Sequence, residues 1–467
     1  MLPPRPARSL SAVLRPDDPV ARALTASTAA GAAANGVFYS VSALFFTRVA
    51  GLPATTVGLG LTVAGAVGVL GALLAGRLSD AVGAHRVLIA ATAGQGLALL
   101  AYVLVRDPVP FALVACAAVG CRAVQGTALS AVLAVAFPGD DRVVVRARLR
   151  VVTNVSIGLG TCAAALALLA GTAQAYSAAL VGTGVLTLMA CLPLRALGAH
   201  PAGRAGAVAA PTGPGPAGRS PLRDRRYLAV TALNAVVGLH FGLQTVGVPL
   251  WVAARTDAPA VTVSLLMVLN TLLVATLQVR ASRGTHHVPA AARAVAGAGA
   301  LLALACGLYA ASAAGGALLA VLLLVLAAGV HALAEVRGEA GAWGLAFELA
   351  DPRRPGAYQG VSQTGYSLSA MAAPLVVTTT AVGLGTPGWV VLGVLFAAAG
   401  AATPLVVRAA QPPRAVRTRA SASSAGSAAS AASTGRSATT VVGDSRGAAP
   451  RVSTRGSEQV REGPAPT

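Results

Sequence analysis

Twelve apolar stretches divide this sequence, each of the length a helix needs to cross a bilayer. A hydrocarbon core about 30 Å thick takes roughly 20 helical residues. Inside it every backbone N–H and C=O must be satisfied by the segment itself, so a single spanning segment is a helix. The predicted spans are Ala23–Phe46, Thr56–Gly76, Val87–Val105, Pro110–Phe137, Leu149–Ala170, Tyr176–Leu194, Tyr227–Ala253, Val261–Gln278, Val288–Ser312, Ala317–Leu349, Ala357–Val382 and Gly388–Val407. The tenth exceeds what a bilayer needs, so it tilts or protrudes. Charged residues make up only 11% of the chain, against about 25% in soluble domains.

The basic residues, all arginine, orient the spans. Thirty lie in the N-terminal segment, the C-terminal segment and the loops that follow even-numbered spans, counting Arg150 and Arg293 at the adjoining span ends. Three lie in the opposite loops, and Arg122 and Arg337 lie within spans. Arginine accumulates on the cytoplasmic side of a membrane, so both termini are expected inside. The net charge of +20 then reports topology and contact with anionic lipid; no nucleic-acid partner is needed to explain it. The Pro/Arg-rich residues before Ala23 lack a short apolar core, so the first span is expected to serve as the targeting signal.

Residues 196–220 are rich in Gly, Ala and Pro and divide the spans six and six. The expected organisation is a cytoplasmic tail over 1–22, a six-helix bundle over 23–195, a linker over 196–226, a second bundle over 227–408 and a disordered tail over 409–467. Such doubling is the usual construction of secondary transporters.

Within the tenth span, His331, Glu335, Glu339 and Trp343 recur every four residues, so they share one helix face. An acid at mid-membrane costs about 2.5–3.5 kcal/mol on insertion scales and needs a partner, a wet cavity or a proton. The alternative is that the helix leaves the bilayer near Ala334 and both glutamates are solvated. Counting back from the similar turns Phe137–Arg142 and Leu349–Arg354 places Arg122 level with the His331–Glu335 region. Arg122 is therefore the expected partner of Glu335.

Other polar residues fall on the first, fourth, seventh, eighth and eleventh spans: Asn35 and Tyr39; Gln125; Asn234, Phe241 and Gln244; Asn270; and Gln359, Gln363 and Tyr366. Each can bond another helix or line a solute cavity. The five cysteines lie apart in apolar segments, and His286 and His287 have no third ligand close in sequence. No metal or cofactor is expected.

The loop Gly76-Arg77-Leu78-Ser79-Asp80-Ala81-Val82-Gly83-Ala84-His85-Arg86 resembles the signature loop of the major facilitator superfamily, with Ala81 and Ala84 where the family usually has basic residues. Arg122-Ala-Val-Gln125-Gly126 is similar to the family's second motif. The resemblance covers all twelve spans. It implies an all-α membrane fold of two six-helix bundles, with helices 1, 4, 7 and 10 lining the cavity. It also implies that Gly76, Asp80, Gly83 and Arg86 form a latch, with Asp80 pairing arginines or capping a neighbouring helix. In proton-coupled members the arginine of the second motif is linked to proton transfer. The fifth span lacks the Gly-Pro pair of the family's antiporters.

The function expected is secondary active transport of a small organic solute by alternating access, as proton-coupled efflux across the plasma membrane by a monomer. Glu335, Glu339, His331 and Arg122 are the proton-coupling set. Uptake by symport or facilitated diffusion is the alternative. An enzyme is disfavoured, because two acids on one helix make no catalytic constellation. A non-transporting scaffold has no use for charge at the midplane.

Overall fold

The computed structural model describes residues 18–137, 139–195, 197, 219–259 and 261–409. The expected disordered tail, nearly all of the N-terminal tail and most of the linker lie outside the described residues. Among the described residues are twelve helices long and apolar enough to cross a membrane: α1 Pro19–Val49, α2 Thr55–Val82, α3 Ala84–Leu104, α4 Pro108–Ala136, α5 Asp141–Ala170, α6 Ala173–Arg195, α7 Arg225–Arg255, α8 Val261–Ala281, α9 Val288–Ala311, α10 Ala317–Glu348, α11 Pro355–Val382 and α12 Thr386–Ala409. The chain is an all-α multi-pass membrane protein, and each expected span falls on one of these helices.

Local chemistry sets the ends. Pro19 opens α1 behind Asp18, whose side chain accepts from the N–H of Ala21 at 2.7 Å, satisfying one of the donors a helix start leaves free. Asp224 caps α7 in the same way through Tyr227 N–H at 3.0 Å. Gly83 joins α2 to α3 at φ 95°, in a region that L side chains rarely enter.

One boundary differs in a way that matters for function. Residues 141–148 were expected in a loop, yet α5 begins at Asp141. Charge identifies where a chain leaves lipid but does not end a helix. Two extra turns therefore carry Arg142 and Arg146 in register with Arg150, four residues apart along one face.

Lipid supplies no hydrophobic drive between helices, so small residues let the backbones meet. Gly36 of α1 abuts Ile157 and Thr161 of α5, and Gly160 abuts Ala33 in return. In the second half Gly299 of α9 meets Phe396 and Gly400 of α12, while Gly341 and Gly344 of α10 lie against the backbone of Ala291 and Thr285. The largest apolar core is drawn wholly from α7–α12 and the segment between α7 and α8. A second core lies wholly in the first half, around Phe45, Phe46, Tyr102 and Phe111.

A third core, built from α1, α3, α4, α5 and the end of α6, admits Phe347 of α10 and packs against Trp343. It closes one end of the molecule between the two halves. The halves also meet along α2–α11, α4–α11, α5–α8 and α5–α10.

Candidate functional site

A cavity of about 890 Å³ lies between the halves. Trp343 and Phe347 stand at its closed end, and its wall extends to Leu61 and Thr62 near the start of α2 and to Pro374 on α11. Six of the expected cavity residues line it: Asn35, Gln125, Asn234, Gln359, Gln363 and Tyr366. Two of these are already committed to neighbours. Gln125 donates to Thr92 Oγ1 at 2.8 Å, and Gln359 donates to the carbonyl of Ala346 at 2.9 Å.

The other three expected residues are placed differently. Gln244 lines a separate small pocket of about 20 Å³ with Asn270, Tyr309 and His331. It sits in a π-helical turn, Leu243–Gly247, which shifts the helix register that sequence spacing assumes. Phe241 stands behind the wall, its ring 6.1 Å from that of Tyr366. Tyr39 is half exposed and accepts a hydrogen bond from Arg122.

The charges form a ladder across the two halves. Arg142 of α5 pairs with Glu348 of α10 and lies 5.5 Å from the ring centre of Phe347. One turn on, Arg146 lies 5.7 Å from the ring centre of Trp343 and feels the charge of Glu339. One turn further, Arg150 lies 5.2 Å from the ring centre of Phe241 and donates to Glu335 at 3.1 Å. As α5 ascends, α10 descends, so the rungs run antiparallel. Arginine suits this position because its planar fork can stack on an aromatic face while its edge bonds a carboxylate.

Glu335 is only 2% exposed. Its second oxygen accepts from Asn270 Nδ2 at 3.3 Å. Glu339 lines the cavity and lies in the field of both Arg150 and Arg146. Above Glu335, His331 Nε2 is 3.1 Å from His240 Nδ1, and its Nδ1 is 3.3 Å from the Tyr309 hydroxyl.

The expected pairing of Arg122 with Glu335 is thus corrected: the partner is Arg150. Arg122 instead faces Tyr39, with its guanidinium 5.4 Å from the ring centre. Matching turns predict depth in the membrane but not azimuth around the helix. A clue lay in the sequence: Arg142, Arg146 and Arg150 have the same spacing as His331, Glu335, Glu339 and Trp343.

At the closed end, Asp80 caps α11. Its two carboxylate oxygens accept from the N–H groups of Gly356 at 2.7 Å and Ala357 at 2.8 Å. Of the two expected roles for this carboxylate, geometry selects the cap, where a helix N-terminus favours negative charge. A Cβ on Gly356 would stand 2.5 Å from the Gly76 carbonyl and 2.6 Å from Asp80 Oδ1, so glycine is needed for the helices to meet. Gly83 makes the turn beyond, and Arg86 is exposed. Nearby, Asp351 accepts from the N–H groups of Arg353 and Arg219, both at 2.9 Å. The bond from Arg353 above all holds its carboxyl below the usual carboxylate range.

A family model described as Major Facilitator Superfamily matches residues 24–374. No curated protein has a sequence that matches this chain. Among solved structures, the chain is similar to a bacterial homologue of the iron transporter ferroportin in an outward-facing state (12% identity, TM-score 0.65, 84% of this chain and 98% of that one). It is similar to the proton:xylose symporter XylE bound to 6-bromo-6-deoxy-D-glucose (13%, 0.63, 84% and 95%). It is also similar to the human organic anion transporter MFSD10 (TETRAN) (16%, 0.59, 83% and 100%).

Proposed function

This chain belongs to the major facilitator superfamily and is a multi-pass transporter of a small-molecule solute, and we propose that protons carried on Glu335 and Glu339 drive its cycle. The cycle is alternating access, with the two halves rocking about the cavity. The arginine distribution supports a cytoplasmic position for the Asp80 end and both termini, in the plasma membrane of a cell. The cavity then opens outward.

One observation carries the reading: Arg150 on the cavity wall pairs with the buried Glu335 behind it and so joins the two halves. Separating a buried pair that remains charged exposes each ion to an uncompensated site, which costs about 3–5 kcal/mol. Protonating Glu335 removes the attraction before the halves part, and Glu339 offers Arg150 a second carboxylate. Opening of the cytoplasmic end is therefore linked to proton uptake. His331, one turn from Glu335 on α10, is hydrogen-bonded to His240, which lines the cavity, and to Tyr309. Lipid surrounds the exposed leucines of the outer surface, and a single chain contains the whole site.

Direction depends on whether proton and solute compete. A neutral or cationic solute that displaces protons leaves by exchange, the direction expected from the sequence. An anionic solute binds best when the carboxylates are protonated, and enters with the protons. The three neighbours are a homologue of an iron transporter, a sugar symporter and an organic anion transporter, so they do not select one solute.

The test uses purified protein in proteoliposomes with a pH-sensitive dye inside. Solute flux should move protons, and Glu335→Gln should abolish the proton signal. Solute flux without any proton movement in the wild type would sink the reading.

A further inference from the structure

We infer that the solute is an organic anion and that Arg122 holds its anionic group. The inference rests on the transporter reading above and names the substrate class of the same cavity. Three arginines line that cavity, Arg122, Arg146 and Arg150, together with one glutamate, Glu339. Arg150 is paired with Glu335 behind the wall, and Arg146 lies in the field of Glu339. Arg122 has no carboxylate within ion-pair distance among the described residues. Counting Glu335 with the lining groups, the site holds one more cation than anions.

Arg122 stands at the middle of α4, exposed to the cavity, where an unpaired charge is least tolerated. Its neighbours leave its charge uncompensated. The Tyr39 hydroxyl accepts from it, and the Tyr39 ring flanks it. Because that hydroxyl is an acceptor toward Arg122, its own proton is free to donate to a ligand. An anionic group placed here receives bonds from the Arg122 fork and from Tyr39 together, in the planar geometry that guanidinium offers a carboxylate or phosphate.

A second polar group limits the choice further. Asn234 lines the same cavity, and its Oδ1 is buried without a hydrogen-bond partner. A buried acceptor of this kind calls for a donor, so the solute carries a hydroxyl or N–H besides its anionic group. The cavity volume of about 890 Å³ suits a mid-sized molecule with an apolar body.

The charge balance also fixes the sign of coupling. Protonating Glu339 or Glu335 raises the positive surplus that the anion meets, so proton and anion load together. That is symport.

The experiment measures thermal stabilisation of the purified full chain by matched series: benzoate, salicylate and 4-hydroxyphenylacetate, the amides of each, and the corresponding amines. The anions should raise Tm while their amides and amines leave it unchanged. Arg122→Gln should weaken anion binding about 10- to 100-fold, as loss of a charge-assisted bond does. Arg122→Lys, which keeps the charge without the fork, should retain part of the effect. Unliganded Tm within a few degrees of wild type in both variants separates lost binding from lost folding.

Stabilisation by amines or amides, anion binding unchanged in Arg122→Gln, or no response to any anion in the series each overturns the inference. Proton flux in proteoliposomes is read separately. Anion flux without protons retains the anion and removes the coupling; amine flux with protons does the reverse.

Discussion

Arg150 Nη2 lies 3.1 Å from Glu335 Oε1, although 185 residues separate the two and each belongs to a different half of the molecule. Glu335 is almost wholly enclosed, while Arg150 reaches the cavity wall. The pair therefore ties the halves together at the depth where solute must pass.

The pair predicts a coupling between mutations. Arg150→Gln alone strands the Glu335 carboxylate in a buried site, which should destabilise the protein by about 3–5 kcal/mol. Adding Glu335→Gln removes the stranded charge, so the double variant should recover much of the lost Tm. Arg122→Gln combined with Glu335→Gln should be additive, because those residues share no contact. Calorimetric or fluorescence melting of the six proteins decides it; additivity in the Arg150 cycle would remove the pair as an energetic unit.

Sequence reasoning reached the architecture because lipid allows few solutions. Apolar length and alternating arginine located every span, and the Gly76–Gly83 pattern marked a loop whose Asp80 could cap a neighbouring helix, without saying which. The partner of Glu335 escaped it for a physical reason. Four arginines in nine residues, Arg142, Arg146, Arg148 and Arg150, look like a cytoplasmic loop when hydropathy alone is read. Arginine can instead extend a membrane helix, stacking on Trp343 and Phe347 where its stem is shielded. Which helix face meets which is a long-range fact, and a π-helical turn such as that before Val248 rotates the face again.

The cap at Asp80 predicts a conformational shift. Asp80→Asn keeps the shape but replaces one charged acceptor and places an amide near two N–H donors. Losing cap strength of about 1 kcal/mol shifts the ratio of closed to open states of the Asp80 end about fivefold. Spin labels at Arg77 and Arg353 should report a larger population of long distances, with expression near wild type. An unchanged distance distribution would show that the cap does not hold this end.

The α2–α11 crossing predicts a steric counterpart. Gly356→Val places new atoms against the Gly76 carbonyl and Asp80 Oδ1. The same labels should separate, and transport should fall because the Asp80 end cannot close. Gly182→Ala, on α6 away from the cavity and with no atom within 4 Å of the Cβ position, should leave both readouts unchanged.

Topology is open to direct labelling. In a background without native cysteines, cysteine at Asp257, between α7 and α8, should react with an impermeant maleimide added to intact cells. Cysteine at Arg353, between α10 and α11, should react only after the membrane is opened. Both positions are exposed, so access and not burial decides the outcome. The reverse pattern would invert the protein in the membrane.

The glutamates of α10 yield the sharpest functional test. Glu335 and Glu339 are one turn apart, and Arg150, which donates to Glu335, lies in the field of both. Glu335→Gln fixes the neutral form at the enclosed site. Solute should still exchange across the membrane, since the cavity is intact, but accumulation driven by a proton gradient should vanish. Glu339→Gln should be milder: it lies on the cavity wall and leaves the Arg150–Glu335 pair in place. The double variant should lose all dependence of transport on pH. Counterflow and gradient-driven uptake in the same proteoliposomes separate the two activities. Should Glu335→Gln still accumulate solute with the pH profile of the wild type, the proton travels elsewhere, and Glu339 becomes the carrier to test alone.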